Sequence, residues 1–195
     1  MELLEEIDNR RSCRSLRDHR FTDEEVTLLL RAACAAPSSK NRQAWKIMPA
    51  CGRDLGLLAD VFERAVDDRH SRGLLSDGEH AGCVSTARIM REAPLGLIVF
   101  TDPVGTVESR QQSVGAMMES MCLQAEHMGL STLWVCDILD AREECEGLLH
   151  QEGLSAMLLV GEGKDDGRRA MHKEPGEVIV DFPGEHRLER FEKNE

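Results

Sequence analysis

Two stretches of this chain concentrate side chains suited to holding an anionic, flat ligand. Arg10, Arg11, Arg14, Arg17 and Arg20 crowd one short segment, RRSCRSLRDHR with Arg10. An Arg-Arg-Ser-x-Arg arrangement offers planar guanidinium forks and a hydroxyl, the donor set that a phosphate monoester selects. The same cations could equally complement the C-terminal dipole of a preceding helix and otherwise form a solvated face. The second stretch, APSSKNRQAW from Ala36 to Trp45, gathers hydroxyls and amides where a helix gives way to a strand. Such groups bond the heteroatom edge of a heterocycle without adding charge, although a plain connecting loop is as polar.

The remaining reactive residue types form no comparable set. The histidines His19, His70, His80, His127, His150, His172 and His186 show neither triad-like nor metal-ligand spacing, and no metal site is expected. The seven cysteines include no CxxC pair and no zinc-type Cys/His cluster. Most lie in apolar patterns such as LLLRAACAAP around Cys34 and MMESMCLQA around Cys122, so they read as reduced packing residues. Neither a GxSxG elbow nor a Gly-rich loop between a strand and a helix is present.

The elements that must position these residues are legible from periodicity. Leu3, Leu4 and Ile7 predict the inner face of a short first helix. Thr22 and Glu25 stand in capping-box relation ahead of Val26, Leu29, Leu30 and Ala33, a helix that should stop by Pro37. WKIMPA reads as a short strand, Arg53 to Arg69 as a helix, and a further helix should precede Pro94. PLGLIVFTD is the clearest strand, apolar enough for burial on both faces. A long helix spans about Val107 to Met128 and closes at Gly129. STLWVCDI and SAMLLVGEG supply two more strands around the helix AREECEGLLHQ. The long helical excursions fit a strict βαβ repeat poorly, so the expected class is α+β.

With 195 residues the chain has room for one substantial domain, 1–195, with extensions. Aromatics are 4% and Tyr is absent, so aliphatic side chains and Met must fill the core. A formal net charge of -12 argues against nucleic acid or anionic membrane as a partner. No apolar run approaches the roughly 20 residues needed to span a bilayer, and MELLEEIDNRR is acidic and amphipathic, unlike a signal peptide. The cytoplasm is the expected compartment.

Taken together, RRSCR followed one helix later by APSSKNRQAW resembles the paired N-terminal signature of the FMN-dependent nitroreductase family. QQSVGAMMESMCLQAEHMGLSTLWVCDI is similar to that family's long central helix, Gly-Leu turn and following strand, and SAMLLVGEG to its last core strand before a basic tail. The resemblance implies a central mixed or antiparallel sheet flanked by helices in an entwined homodimer, with FMN at the interface. It assigns the FMN phosphate and ribityl end to Arg10, Arg11, Ser12 and Arg14, Arg14 also tuning the flavin electrostatically. It carries Pro37, Ser38, Ser39, Asn41 and Gln43 to the flavin of the other subunit, and sets Trp134, Val135 and Cys136 against the ring, main-chain amides foremost. Arg168, Arg169 and Lys173 compete for a tail cation at the phosphate, with Arg169 and Lys173 favoured, and the extension from about residue 172 to 195 is expected to pack on the partner. Asp137, next to the flavin-contacting strand, would oppose reduction unless it points away. The implied activity is ping-pong transfer of two electrons from NADH or NADPH, through flavin N5, to a nitroaromatic, quinone or similar small acceptor. Enone reduction, dehalogenation, flavin-consuming oxygenation and a non-catalytic flavin sensor or store are the alternatives.

Overall fold

The computed structural model describes residues 3–164, 172–173 and 175–178. Helices α1 (Leu3–Asn9) and α2 (Asp23–Ala35) flank the two-residue strand β1 (Leu16–Arg17). Then come β2 (Trp45–Ala50), α3 (Gly52–Ser71), α4 (Asp77–Glu92), β3 (Leu95–Thr101), α5 (Val107–His127), β4 (Ser131–Val135), α6 (Arg142–Leu149), β5 (Leu154–Gly163) and the short α7 (Pro175–Val178). Local chemistry sets the helix ends. The Thr22 main-chain N–H donates to Glu25 at 2.8 Å while the Glu25 N–H donates to Thr22 Oγ1 at 3.2 Å, and Ser76 with Glu79 repeats this capping box on α4. α2 ends because Ala36, before Pro37, is extended (ψ 143°). α5 ends at Gly129, whose φ of 74° suits a residue without Cβ.

The described strands form an antiparallel sheet in the order β1-β5-β3-β2, with β4 also paired to β5. The alternation of strand side chains sorts the core into two halves. Leu95, Leu97 and Val99 of β3, with Ala156, Leu158 and Val160 of β5, pack with Leu29 and Ala33 of α2 and Val114, Met117, Met118 and Met121 of α5. Ile98, Phe100, Met157 and Leu159 face the other way, with Leu55, Leu58 and Phe62 of α3 and Ala87 and Met90 of α4. β3 is thus apolar throughout because helices cover both faces of an antiparallel sheet. Each fully buried Leu or Phe contributes about 1.5–3 kcal/mol.

Three local expectations need correction. Leu4 and Ile7 do not face inward: they are 67% and 45% exposed, while Glu6 of the same helix is buried and accepts from His127 Nδ1 at 2.6 Å. Cys34 is exposed, one position beyond the buried Ala33, as are Cys51 and Cys136; Cys13, Cys83, Cys122 and Cys145 are buried thiols. The strand in STLWVCDI stops at Val135, and Asp137–Ala141 is a 3-10 turn. Among the described residues no helix is long and apolar enough to cross a membrane.

Candidate functional site

The arginine segment is a strap stitched to the end of the sheet. Ser12 forms a parallel bridge with Thr132, and the Cys13 N–H donates to the Thr132 carbonyl at 2.8 Å. Leu16 and Arg17 then pair with Gly163 and Glu162, and the Lys164 N–H donates to the Ser15 carbonyl at 2.8 Å. Cys13 and Leu16 point into the core, leaving Ser12 and Arg14 exposed. The close approach requires glycine: a Cβ at Gly163 would stand 2.6 Å from Ser131 Oγ and 3.5 Å from Cys13 Sγ. Sequence reading missed Thr132 and Gly163 as the anchors of this strap, although two glycines ending an apolar strand were a signal of close backbone approach.

Arg10 and Arg11 are half-buried beside the C-terminal half of α5. Arg10 Nε lies 3.4 Å from Glu119 Oε1, a solvent-screened pair worth under about 1 kcal/mol that a dianionic phosphate would displace. Burial raises the Glu126 carboxyl above its ordinary range, and Arg11 and then Arg10 offset that rise. Arg14 has neither hydrogen bond nor ion pair among the described residues.

β4 continues from this strap and takes β5 on its other edge. Because Thr132 turns its carbonyl outward to Cys13, ladder alternation turns the Trp134 main chain outward too and that of Val135 toward β5. The Val135 side chain is buried in the core, so this residue offers a ligand little; the open groups belong to Trp134 and Cys136. Trp134 packs beside Gly115 of α5, and its buried Nε1 meets no nitrogen or oxygen partner among the described residues, only the neighbouring Cys136 thiol. A sulfur is a weak acceptor, so a ligand oxygen or nitrogen would bond this donor more strongly. The Cys136 thiol is raised by its desolvating surroundings and by Asp137, against a smaller lowering from Trp134, so it is no ready nucleophile. Asp137 accepts from Thr86 Oγ1 at 2.8 Å and is thereby turned toward α4.

The second predicted segment is a loop in strained conformation. Lys40, Asn41 and Gln43 have φ of 56°, 51° and 45°, the left-handed region that non-glycine residues enter at a cost. Ser38 Oγ accepts from the Gln43 N–H at 3.0 Å, and Gln43 Nε2 donates to the Cys34 carbonyl at 3.0 Å and Asn41 Oδ1 at 3.3 Å. The Asn41 and Gln43 amides thus shape the loop, while Pro37 and Ser39 are exposed. The Ser39 N–H donates to Ser113 Oγ at 3.2 Å, fixing the loop to α5. Ser113 precedes Glu119 by less than two helical turns and Glu126 by about three and a half, about 9 and 20 Å at 1.5 Å per residue. Strap and loop therefore dock on different stretches of α5. Lys173 is exposed, and Arg169, Arg168 and most of the 172–195 extension lie outside the described residues.

A family model described as the nitroreductase family matches residues 7–162, from α1 through β5. The chain belongs to the nitroreductase family. This nitroreductase-family chain is 26% identical over 137 residues to a protein of Archaeoglobus fulgidus named as an NADH dehydrogenase/NAD(P)H nitroreductase, covering 69% of this chain and 67% of the relative. It superposes on a BluB-like flavoprotein from Clostridium difficile 630 with a TM-score of 0.77 and 27% identity, over 93% of this chain and 99% of the other. A nitroreductase from Desulfovibrio desulfuricans, solved in complex with FMN, gives 0.76 and 22%, over 94% and 98%. The fold is that of the nitroreductases, and the family name places the chain among oxidoreductases.

Proposed function

We propose that this protein is an FMN-dependent oxidoreductase that passes two electrons from NADH or NADPH to a nitroaromatic, quinone or similar small acceptor, working as a homodimer. The observation that carries the reading is the Ser12–Thr132 bridge, which sets the arginine strap beside the outward edge of β4 across 120 residues of sequence. The donor set fits FMN: Arg10, Arg11 and Ser12 offer forks and a hydroxyl to one phosphate, while the outward main-chain edge at Trp134 offers donors to a polar ring system. Bound FMN supplies redox chemistry that no side chain here performs. The chain's own work is to bind, orient and tune. Arg14, exposed and without an ion pair among the described residues, would supply positive charge to a flavin that gains negative charge on reduction. Asp137, held by Thr86, keeps its charge turned away.

The dimer follows from two features of the single chain. The strap and the Pro37–Gln43 loop dock on different stretches of α5, an arrangement in which each can serve a ligand shared with a second copy. Leu4 and Ile7 also stand exposed on α1 and would be covered by that copy. The absorption spectrum of the purified protein, followed by steady-state oxidation of NADH and NADPH with a nitroaromatic or quinone acceptor, tests the proposal. A flavin spectrum with acceptor-dependent turnover is expected. Flavin without turnover would point to a sensor or store, and no flavin would overturn the reading.

A further inference from the structure

The Ser38–Arg42 loop and the first turns of α5 enclose a cleft lined by Arg42, Arg110, Ser39 and Ser109 over a floor that includes Trp45 and Val104. Both guanidiniums converge on Gly105. Arg110 Nη1 donates to its carbonyl at 3.0 Å, and a Cβ at that residue would stand 3.0 Å from Arg42 Nη1 and 3.0 Å from Ser109 Oγ. This protein is acid-rich, and several of its cations are paired: Lys46 with Asp102, Arg69 with Glu144, Arg72 with Asp68, Arg88 with Glu92 and Arg91 with Asp60. Arg42 and Arg110 enter no salt bridge among the described residues. Two carboxylates flank the cleft along the chain: Asp102, held by Lys46 at 2.6 Å, and Glu108, an exposed side chain on the first turn of α5 that lies within electrostatic reach of Arg110. Arg42 is not free to swing away with its backbone: its N–H donates to the Ser39 carbonyl at 3.2 Å, between left-handed Asn41 and Gln43, and the loop is fixed to Ser113. Two guanidiniums brought to one glycine repel each other, no carboxylate among the described residues is hydrogen-bonded to either, and the positive end of α5 adds to the same field. A dianion between them removes that repulsion and accepts from both forks.

We propose that this cleft binds a phosphate of the nicotinamide donor between Arg42 and Arg110. The proposal rests on the oxidoreductase reading, which requires such a donor to reach the flavin served by the same loop. Neither arginine belongs to the strap that holds FMN. The donor offers two kinds of phosphate, the bridge between its nucleosides and, in NADPH, the 2′-phosphate, and the test separates them.

The full chain is titrated calorimetrically with adenosine 2′,5′-bisphosphate and with adenosine 5′-monophosphate, as wild type, R42Q/R110Q and R42K/R110K, with flavin content read from absorbance. The wild type should bind the bisphosphate, and R42Q/R110Q should bind it at least about tenfold more weakly, the loss expected for two charge-assisted hydrogen bonds. R42K/R110K should recover part of the affinity, since charge returns without the fork. Binding of the bisphosphate alone assigns the cleft to the 2′-phosphate; equal binding of both nucleotides, lost together in R42Q/R110Q, assigns it to the bridging phosphate. Unchanged affinity in R42Q/R110Q, or no binding by the wild type, overturns the site. Phosphate binding by a protein that carries no flavin would instead sink the oxidoreductase reading while leaving the phosphate cleft standing.

Discussion

Replacing Gly163 with Val isolates the contribution of the arginine strap. The first atom of the new side chain would lie 2.6 Å from Ser131 Oγ, well inside contact distance, and the added methyls would press on Cys13 Sγ, which is 3.5 Å from that Cβ position. Ser131 Oγ can rotate aside, but Cys13 is buried and held through its N–H to Thr132, so the strap must yield. Overpacking of this kind costs about 1–3 kcal/mol. If the cost falls on the docked strap, FMN affinity should drop by about 5- to 150-fold, the same free energy at ~1.4 kcal/mol per decade. Flavin fluorescence quenching gives the dissociation constant, and amide exchange at Cys13 and Lys164 reports whether the strap has lifted. In the milder G163A background, S131A should restore most of the affinity, because it removes the atom at 2.6 Å. An unchanged FMN affinity in G163V, with protection lost at Cys13, would show that the strap does not hold the flavin.

Arg14→Gln should lower the flavin midpoint potential by tens of millivolts, where about 30 mV is ~1.4 kcal/mol for a two-electron couple, while Arg10→Gln should weaken FMN retention and leave the midpoint in place; potentiometric titration of both FMN-saturated variants checks this. Leu4→Glu with Ile7→Glu should convert the dimer to a flavin-poor monomer in sedimentation velocity, since both residues are exposed in the single chain. Gly153→Ala should lower stability by about 2–5 kcal/mol in urea unfolding: Gly153 has a φ of 88° and its Cβ would lie 2.3 Å from the Thr101 carbonyl oxygen, so left-handed strain adds to overpacking. Glu25 and Glu79 are held below the usual carboxylate range, Glu25 first by the Thr22 N–H and Glu79 first by the Ser76 hydroxyl. Their contribution is present above the unfolded carboxyl value of about 4.3 and is lost as pH falls through the lower folded values; T22A and S76A should each flatten acid denaturation curves below about pH 4.5.

The local level was written into the sequence. Period 3.6 in α2, α3 and α5, the unbroken apolar run of β3, and the Thr22–Glu25 box are short-range signals, because helix caps and strand burial depend on neighbours a few residues away. The order RRSCR, APSSKNRQAW, long helix, strand likewise pointed to the family. Other features depended on contacts that no window of sequence contains. Leu4 and Ile7 read as an inward face, yet the tilt of α1 on α5 buries Glu6 against His127 instead. A two-residue β1 is too short to show a period, and exists because Gly161 and Gly163 let the strap approach β5. That the Val135 side chain lies in the core and the Trp134 main chain faces outward is set by ladder alternation, fixed by the Thr132–Cys13 bond. The pairing of Arg42 with Arg110 across 68 residues, like the separation of strap and loop along α5, was decided only when the loop docked on that helix. Periodicity reports which face of an element is apolar; where two faces meet is a property of the packed chain, in which each element's position is set by all the others at once.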